Sequence, residues 1–140
     1  MKWVYDDGGR EAAGFIGTAG DCVTRAIAIA TRLPYKVVYD ELAERNAATG
    51  KSRSARQGVK KEIYNAFLNE MGWKWTPIMG IGTGCRVHLR DGELPYGTLI
   101  ARLSGHIVAV VDGEVHDTYD PTRGGTRCVY GFWMKDSSND

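Results

Sequence analysis

The chain has 140 residues, which is long enough for one domain with a sizeable core, and its 18 basic and 17 acidic side chains nearly cancel. This balance gives no electrostatic reason to expect nucleic acid or an anionic membrane surface as a partner. No apolar run reaches the roughly 20 residues of a membrane span, and the N-terminal stretch lacks the apolar centre of a secretory signal. We therefore expect a single domain over residues 1–140, with no nucleic-acid and no membrane partner.

The front of the chain carries helical patterns after a first stretch of loop or short strand. A buried central helix is predicted over about Cys22–Thr31, because its residues are apolar nearly all round. Asp21 is a good N-cap candidate, since its carboxylate can accept a free first-turn N–H. A second helix is predicted between residues 34 and 50, and a third over about 57–71.

The back of the chain alternates between apolar and polar residues, which is typical of strands. Five strands are predicted after Gly72, within residues 73–79, 95–103, 106–111, 114–120 and 126–135. The pair Asp112–Gly113, between the third and fourth of them, is a strong signal for a hairpin turn. The predicted fold class is α+β, with N-terminal helices over about 20–72 packed on a C-terminal antiparallel sheet over about 73–135.

The three cysteines, Cys22, Cys85 and Cys128, are odd in number and far apart, and none belongs to a CxxC pair. We therefore expect neither a disulfide framework nor a structural zinc site, and a reducing cytoplasm is the favoured compartment. His88 lies close to Cys85 in sequence, but no second pair of ligands stands at a useful spacing. No metal and no cofactor is predicted.

Cys22 is the strongest candidate for a catalytic residue, because it stands at the start of the predicted buried helix. The helix dipole and the unpaired N–H groups of the first turn favour a thiolate and can bind an oxyanion. The base must be one of three histidines, and His106 opens a predicted strand that can face the helix rigidly. His116 is interpreted as a surface or packed residue. The alternative is that Cys22 is a small buried hydrophobe and His106 a satisfied sheet residue.

An acid that orients His106 must come from the next strand, where Asp117 and Asp120 both lie. If Asp112–Gly113 form a two-residue turn, Asp117 lies diagonally across from His106 on the same face of the sheet. If the loop takes the three residues 112–114, Asp120 lies directly opposite His106 instead. The sequence leaves both registers open, and Asp120 followed by proline is also compatible with a simple turn.

Three short stretches occur in the order of a known family: GDC at Gly20–Cys22, GHIVAVVDGEV at Gly105–Val115, and DP at Asp120–Pro121. With a cysteine at the start of a buried helix, then a sheet with a histidine, a hairpin and an Asp-Pro step, the chain resembles the papain-like cysteine peptidase fold. The resemblance is closest to the compact bacterial C39-like peptidases, and as an arrangement it covers most of the chain.

The resemblance implies a thiolate–imidazolium pair that attacks the carbonyl of a peptide or protein substrate and forms an acyl-enzyme, with no cofactor. Cys22 would be the nucleophile and His106 the general base and acid. The family favours Asp120 as the acid that orients the histidine, with Asp117 as the second candidate. Members of the family usually carry a glutamine about six residues before the cysteine as an oxyanion donor, and Ile16 stands at that position here.

Three functions are compatible with this pattern. The first is a papain-like cysteine peptidase or amidase. The second is a non-catalytic module of the same fold that acts in protein interaction, which the missing glutamine favours. The third is acyl transfer of the transglutaminase-like type, because water and an amine compete for the same acyl-enzyme.

Overall fold

The computed structural model describes residues 1–15, 20–50, 54–55, 59–80 and 82–135. Within these residues the fold is α+β, as predicted, with three α-helices and one six-stranded sheet. The elements in chain order are β1 (Lys2–Tyr5), α1 (Cys22–Thr31), α2 (Tyr35–Ala48), α3 (Lys61–Glu70), β2 (Trp73–Pro77), β3 (Thr98–Leu103), β4 (His106–Val111), β5 (Glu114–Asp117) and β6 (Gly131–Lys135). The predicted start of the third helix, at Gln57, lies outside the described residues.

The sheet has the strand order β1-β5-β4-β3-β6-β2. All neighbours pair antiparallel except β1, which lies parallel to β5. The expectation of a purely C-terminal antiparallel sheet is therefore corrected, because the N-terminal strand forms one edge. At this edge β1 pairs with backbone N–H and C=O groups of β5, which would be unpaired if β5 were itself the edge strand. The indole N–H of Trp3 also donates to the Asp117 carbonyl at 3.0 Å.

Two apolar layers cover the two faces of the sheet. Alternation along each strand sends neighbouring side chains to opposite faces. One face packs against the helices through Ile100, Ile107, Ala109 and Trp133. The other face, which includes Val108 and Val110, packs against residues of the segments that precede β3 and β6, with the fully buried Leu89 and Val129 among them.

Helix α1 has the bounds that the sequence predicts, and it packs on β4 and β3. Its interior residues Ala26, Ile27 and Ala28 are buried, as expected for a central helix. The helix ends at Arg32, whose left-handed backbone (φ 64°) lets its N–H donate to the Ala28 carbonyl. The first residue of this buried element is Cys22, which fixes the position of its side chain.

The hairpin between β4 and β5 turns through the two residues Asp112 and Gly113. Both have positive φ, at 50° and 79°, as a type I′ turn requires. Val111 pairs with Glu114, and Ala109 with His116. Of the two registers that the sequence left open, the structure therefore has the two-residue turn.

Cys85 and Cys128 form a disulfide, with their Cα atoms 5.7 Å apart. The sequence analysis expected no disulfide framework, and this expectation missed the bridge because 43 positions of sequence separate two residues that the fold makes neighbours. An isolated β-bridge between His88 and Cys128 holds the two segments together. The prediction of a cytoplasmic compartment loses its premise, since disulfides are typical of oxidising compartments.

Among the described residues, no helix is long and apolar enough to cross a membrane.

Candidate active site

Cys22 is the free thiol of the described chain, and it lies at the N-terminal tip of α1 against the start of β4. His106 and Ile107 line the same groove as Cys22, and the charge of His106 and the backbone of Ile107 both act on the thiol. The helix positions the sulfur, and the strand positions its two partners. Both elements are buried and packed on one another, so this contact is set by the core of the protein.

His106 lies between Cys22 and Asp117. Its Nε2 is 2.6 Å from Oδ2 of Asp117, and the histidine side chain is only 8% exposed. Because Nε2 faces the carboxylate, Nδ1 is the ring nitrogen left for the thiol. The ring of Tyr119 packs beside the imidazole, with centroids 5.3 Å apart. His106 thus interacts with both the Cys22 thiol and the Asp117 carboxylate.

The acid next to His106 is Asp117 and not Asp120, which the family resemblance favoured. The two-residue turn places Asp117 diagonally across from His106, as the corresponding register predicts. Asp120 is exposed, and its Oδ1 accepts hydrogen bonds from the Thr122 N–H at 2.9 Å and from its hydroxyl at 2.7 Å. The Asp120 side chain therefore stabilises a local turn, which agrees with the prediction that Asp120 followed by proline forms a simple turn.

The surroundings of Cys22 favour its thiolate. Burial alone would raise the pKa of the thiol, but the hydrogen bond and charge of His106 outweigh it. The Ile107 N–H and the charge of Arg25 act in the same direction. The net effect is a pKa below the ordinary value of 9.0. Lowered thiol pKa values of this kind mark reactive cysteines.

The surroundings of His106 favour its protonated ring. Burial lowers the pKa of the imidazole, but the hydrogen bond and charge of Asp117, together with those of Cys22, raise it to about 9. The imidazolium and the thiolate therefore stabilise one another. Below about pH 9 the ring carries the proton that a leaving group needs.

A buried ion-pair network connects α1 with the site. Arg25 pairs with Asp21 one turn earlier, and its second nitrogen lies 3.4 Å from Oδ1 of Asp117. Arg25 therefore bridges two carboxylates that come from different elements. Asp21 also accepts hydrogen bonds from Arg10 and from the Tyr35 hydroxyl, two partners that no local pattern indicated.

Asp21 stands at the N-cap position of α1, but its side chain makes no capping hydrogen bond. This corrects the predicted cap, because the carboxylate is taken up by Arg25 and by its partners deeper in the protein. The N–H groups in the first turn of α1 therefore do not bond to the Asp21 side chain and can donate to other acceptors. Ile16, where the family's glutamine was expected, lies outside the described residues.

A groove with a volume of about 360 Å³ opens beside the thiol. One wall is the tip of α1 and the loop before it, another is the start of α3, and the third is the turn between β3 and β4. Its lining includes Cys22, His106, Lys61, Tyr64 and Arg102. The last three were not singled out by the sequence, since nothing local marks them as neighbours of the cysteine.

The remaining histidines lie outside this groove. Nδ1 of His116 is 3.0 Å from Asp6, which agrees with its interpretation as a surface or packed residue. His88 lies beside the disulfide, and its ligand atoms and those of Cys85 and Cys128 are within 4.8 Å of one another. The sequence did not predict this potential metal-binding cluster, because the chain reaches it from two distant segments. In the structure the two thiols are joined to each other.

The chain matches no family model, no curated protein and no solved structure. The papain-like resemblance therefore depends on the order of the short motifs and on the chemistry of Cys22, His106 and Asp117.

Proposed function

We propose that this protein is a cysteine hydrolase of the papain-like type that cleaves a peptide or amide bond. The observation that carries the proposal is the arrangement in which Cys22 and His106 line one groove and stabilise each other's charged form, while Nε2 of His106 lies 2.6 Å from Oδ2 of Asp117. It unites a nucleophile, a base and an orienting acid, which are the groups that catalysis by a thiol requires. The groove beside the sulfur offers room for a substrate.

The reaction begins when the Cys22 thiolate attacks the carbonyl carbon and forms a sulfur–carbon bond, while the carbonyl electrons move to oxygen. The oxyanion then collapses, the carbon–nitrogen bond breaks, and the leaving amine takes the proton of the His106 imidazolium. A thioester to Cys22 remains. Neutral His106 removes a proton from water, the hydroxide attacks the thioester, and the carboxylic acid leaves as the thiolate and the imidazolium are restored.

Backbone groups supply the oxyanion donors in this proposal. The N–H groups of the first turn of α1 surround Cys22 and are not capped by Asp21. They point along the helix axis toward the groove and carry the positive end of the helix dipole. Asp117 keeps the imidazole in one orientation and stabilises its protonated form, as the acid of a catalytic triad does.

The alternative is a non-catalytic module of the same fold, and one observation favours it. Ile16 is apolar where the family carries a glutamine that donates to the oxyanion. Loss of one such donor costs on the order of 10²–10³ in rate. Acyl transfer to an amine stays a prediction from the sequence, since the same acyl-enzyme serves both reactions.

The proposal is tested by the pH dependence of Cys22 alkylation with iodoacetamide. The lowered pKa of the thiol makes the folded protein react below the pH range of an ordinary cysteine. In His106→Ala, burial is no longer opposed by the imidazolium, so the rise in rate is expected to move to higher pH. Amide hydrolysis should fall as pH rises through about 9, because His106 then loses its proton.

The matched control is His116→Ala, which removes a histidine that lies outside the groove. It should leave the alkylation profile of Cys22 unchanged. A thiol that stays inert below about pH 8, or that reacts identically in His106→Ala and the unaltered protein, would refute the thiolate–imidazolium pair.

A further inference from the structure

Two cations, Lys61 at the first residue of α3 and Arg102 on β3, line the groove beside Cys22. They come from segments that are about 40 positions apart, and only the fold brings them to one cavity. Both side chains are partly buried. Burial and the charge of Arg102 together lower the pKa of Lys61, so the two cations lie within electrostatic range of each other.

Neither cation makes an ion pair with a carboxylate in the described part of the chain. Lys61 Nζ lies 4.3 Å from the centre of the Trp75 ring, and the Arg102 guanidinium lies 5.9 Å from the centre of the Tyr130 ring. Burial raises the pKa of the Tyr64 hydroxyl, and the charge of Arg102 opposes that rise. Two like charges that converge repel one another, and the nearby Glu62 acts on Lys61 without forming an ion pair with it. An anion between the two cations would relieve the repulsion.

The cations lie next to the reacting sulfur. Arg102 is directly opposite Ile107 in the β3–β4 pair, and both residues line the groove together with Cys22. Tyr64 lies close enough to both to sense the charge of Arg102 and that of Cys22. The thiolate has its own counter-charges in His106 and Arg25. Lys61 and Arg102 therefore remain for a ligand.

We propose that Lys61 and Arg102 bind a carboxylate of the substrate beside the bond that is cleaved. A guanidinium and an ammonium together match the charge and the oxygen acceptors of a carboxylate. The Tyr64 ring in the wall of the groove can contact the apolar stem that carries the carboxylate. This inference rests on the proposed cysteine hydrolase, and the carboxylate belongs either to an acidic side chain or to a free C-terminus.

The first test compares two reagents of nearly equal shape, the anionic iodoacetate and the neutral iodoacetamide. The ratio of their rates at Cys22 measures how strongly the groove favours a carboxylate. Lys61→Gln and Arg102→Gln are each expected to lower this ratio about three- to fivefold, as the loss of one partly exposed charge pair implies. Lys60→Gln is the matched control, because Lys60 is exposed and lies outside the groove lining.

Thermal unfolding verifies that each variant is folded. If Arg102→Gln is unstable, Lys61→Gln at the start of α3 still tests the carboxylate site. A ratio that changes equally in Lys60→Gln and Lys61→Gln would overturn the carboxylate site. Failure of the proposed function is a separate result, in which Cys22 reacts no faster than an ordinary thiol with either reagent. In that case the ratio of the iodoacetate rate to the iodoacetamide rate still shows whether the groove favours a carboxylate.

The second test distinguishes the two sources of the carboxylate. Peptide libraries are offered in which glutamate replaces glutamine next to the cleaved bond, or in which a free C-terminus replaces an amide. Preference for the glutamate peptides assigns the site to an acidic side chain, and preference for the free acids assigns it to a C-terminus. Equal cleavage in both comparisons would overturn the inference.

Discussion

At the scale of single residues, Cys22 and His106 each stabilise the charged form of the other. Burial alone would keep both neutral, because an ion loses solvation in the interior. Their interaction with each other and the carboxylate of Asp117 outweigh burial, so the pKa of the thiol is lowered and that of the imidazole rises to about 9. The ion pair therefore depends on a third residue that does not touch the sulfur.

Asp117→Asn should return the pKa of His106 from about 9 toward its ordinary value of 6.5. The substitution keeps the size of the side chain and removes the charge that holds the imidazolium. Titration of the His106 ring protons by NMR measures the shift directly. Since the raised pKa of His106 contributes stability below about pH 6.5 that is lost as pH rises through about 9, the variant should also lose this pH dependence of unfolding.

Asp120→Asn is the control for this prediction. Asp120 is exposed and binds Thr122, so its neutralisation should leave the titration of His106 unchanged. A shift in Asp120→Asn with none in Asp117→Asn would instead support the acid that the family resemblance favours.

At the scale of elements, α1 connects the nucleophile to the ion-pair network. Its first residue is Cys22, and Arg25 lies nearly one turn later, between Asp21 and Asp117. The carboxylate that orients His106 is therefore held by the same helix that carries the sulfur. Movement of α1 would displace both groups together.

Arg25→Met is expected to destabilise the protein by about 3–5 kcal/mol, because it leaves two buried carboxylates without their shared cation. Urea-induced unfolding measures the loss. Arg25→Lys restores the charge without the planar fork, so it should recover only part of the stability.

Lys36→Met is the matched control for the buried pair. It removes a lysine that pairs with Asp40 at the surface of α2, where an i,i+4 ion pair contributes only about 0–1 kcal/mol. Equal effects of Arg25→Met and Lys36→Met would show that the network contributes no more than a surface pair.

At the scale of the whole molecule, the sheet is covered by helices on one face and by loops on the other. A layer of loops is locally less stable than a layer of helices, because loops have fewer internal hydrogen bonds. The Cys85–Cys128 disulfide ties the two loop segments of that second face together. It is therefore expected to stabilise the face away from the candidate site.

Reduction of this disulfide with dithiothreitol should lower Tm by up to about 15 °C. A closed loop of this length restricts the unfolded chain by about 4 kcal/mol at most. In the double variant Cys85→Ser/Cys128→Ser, Tm should already be low and should not respond to the reductant. An unaltered protein with the same Tm in both conditions would contradict the prediction.

By itself, the sequence determined the features that depend on local chemistry. The bounds of α1 follow from a continuous apolar run, and the β4–β5 hairpin follows from Asp112–Gly113, whose residues tolerate positive φ. The choice of Cys22 and His106 followed from their places at the ends of these elements. Such features need only neighbouring residues, so their signals lie within a few positions of the chain.

The tertiary structure alone decided which distant groups meet. Turn length set the register that brings Asp117 rather than Asp120 to His106, and a shift of one residue would have reversed this choice. The same holds for the Cys85–Cys128 disulfide and for Lys61 beside Arg102. The physical reason is that side-chain identity fixes what a group can do, whereas its partners depend on strand register and helix packing over the whole fold.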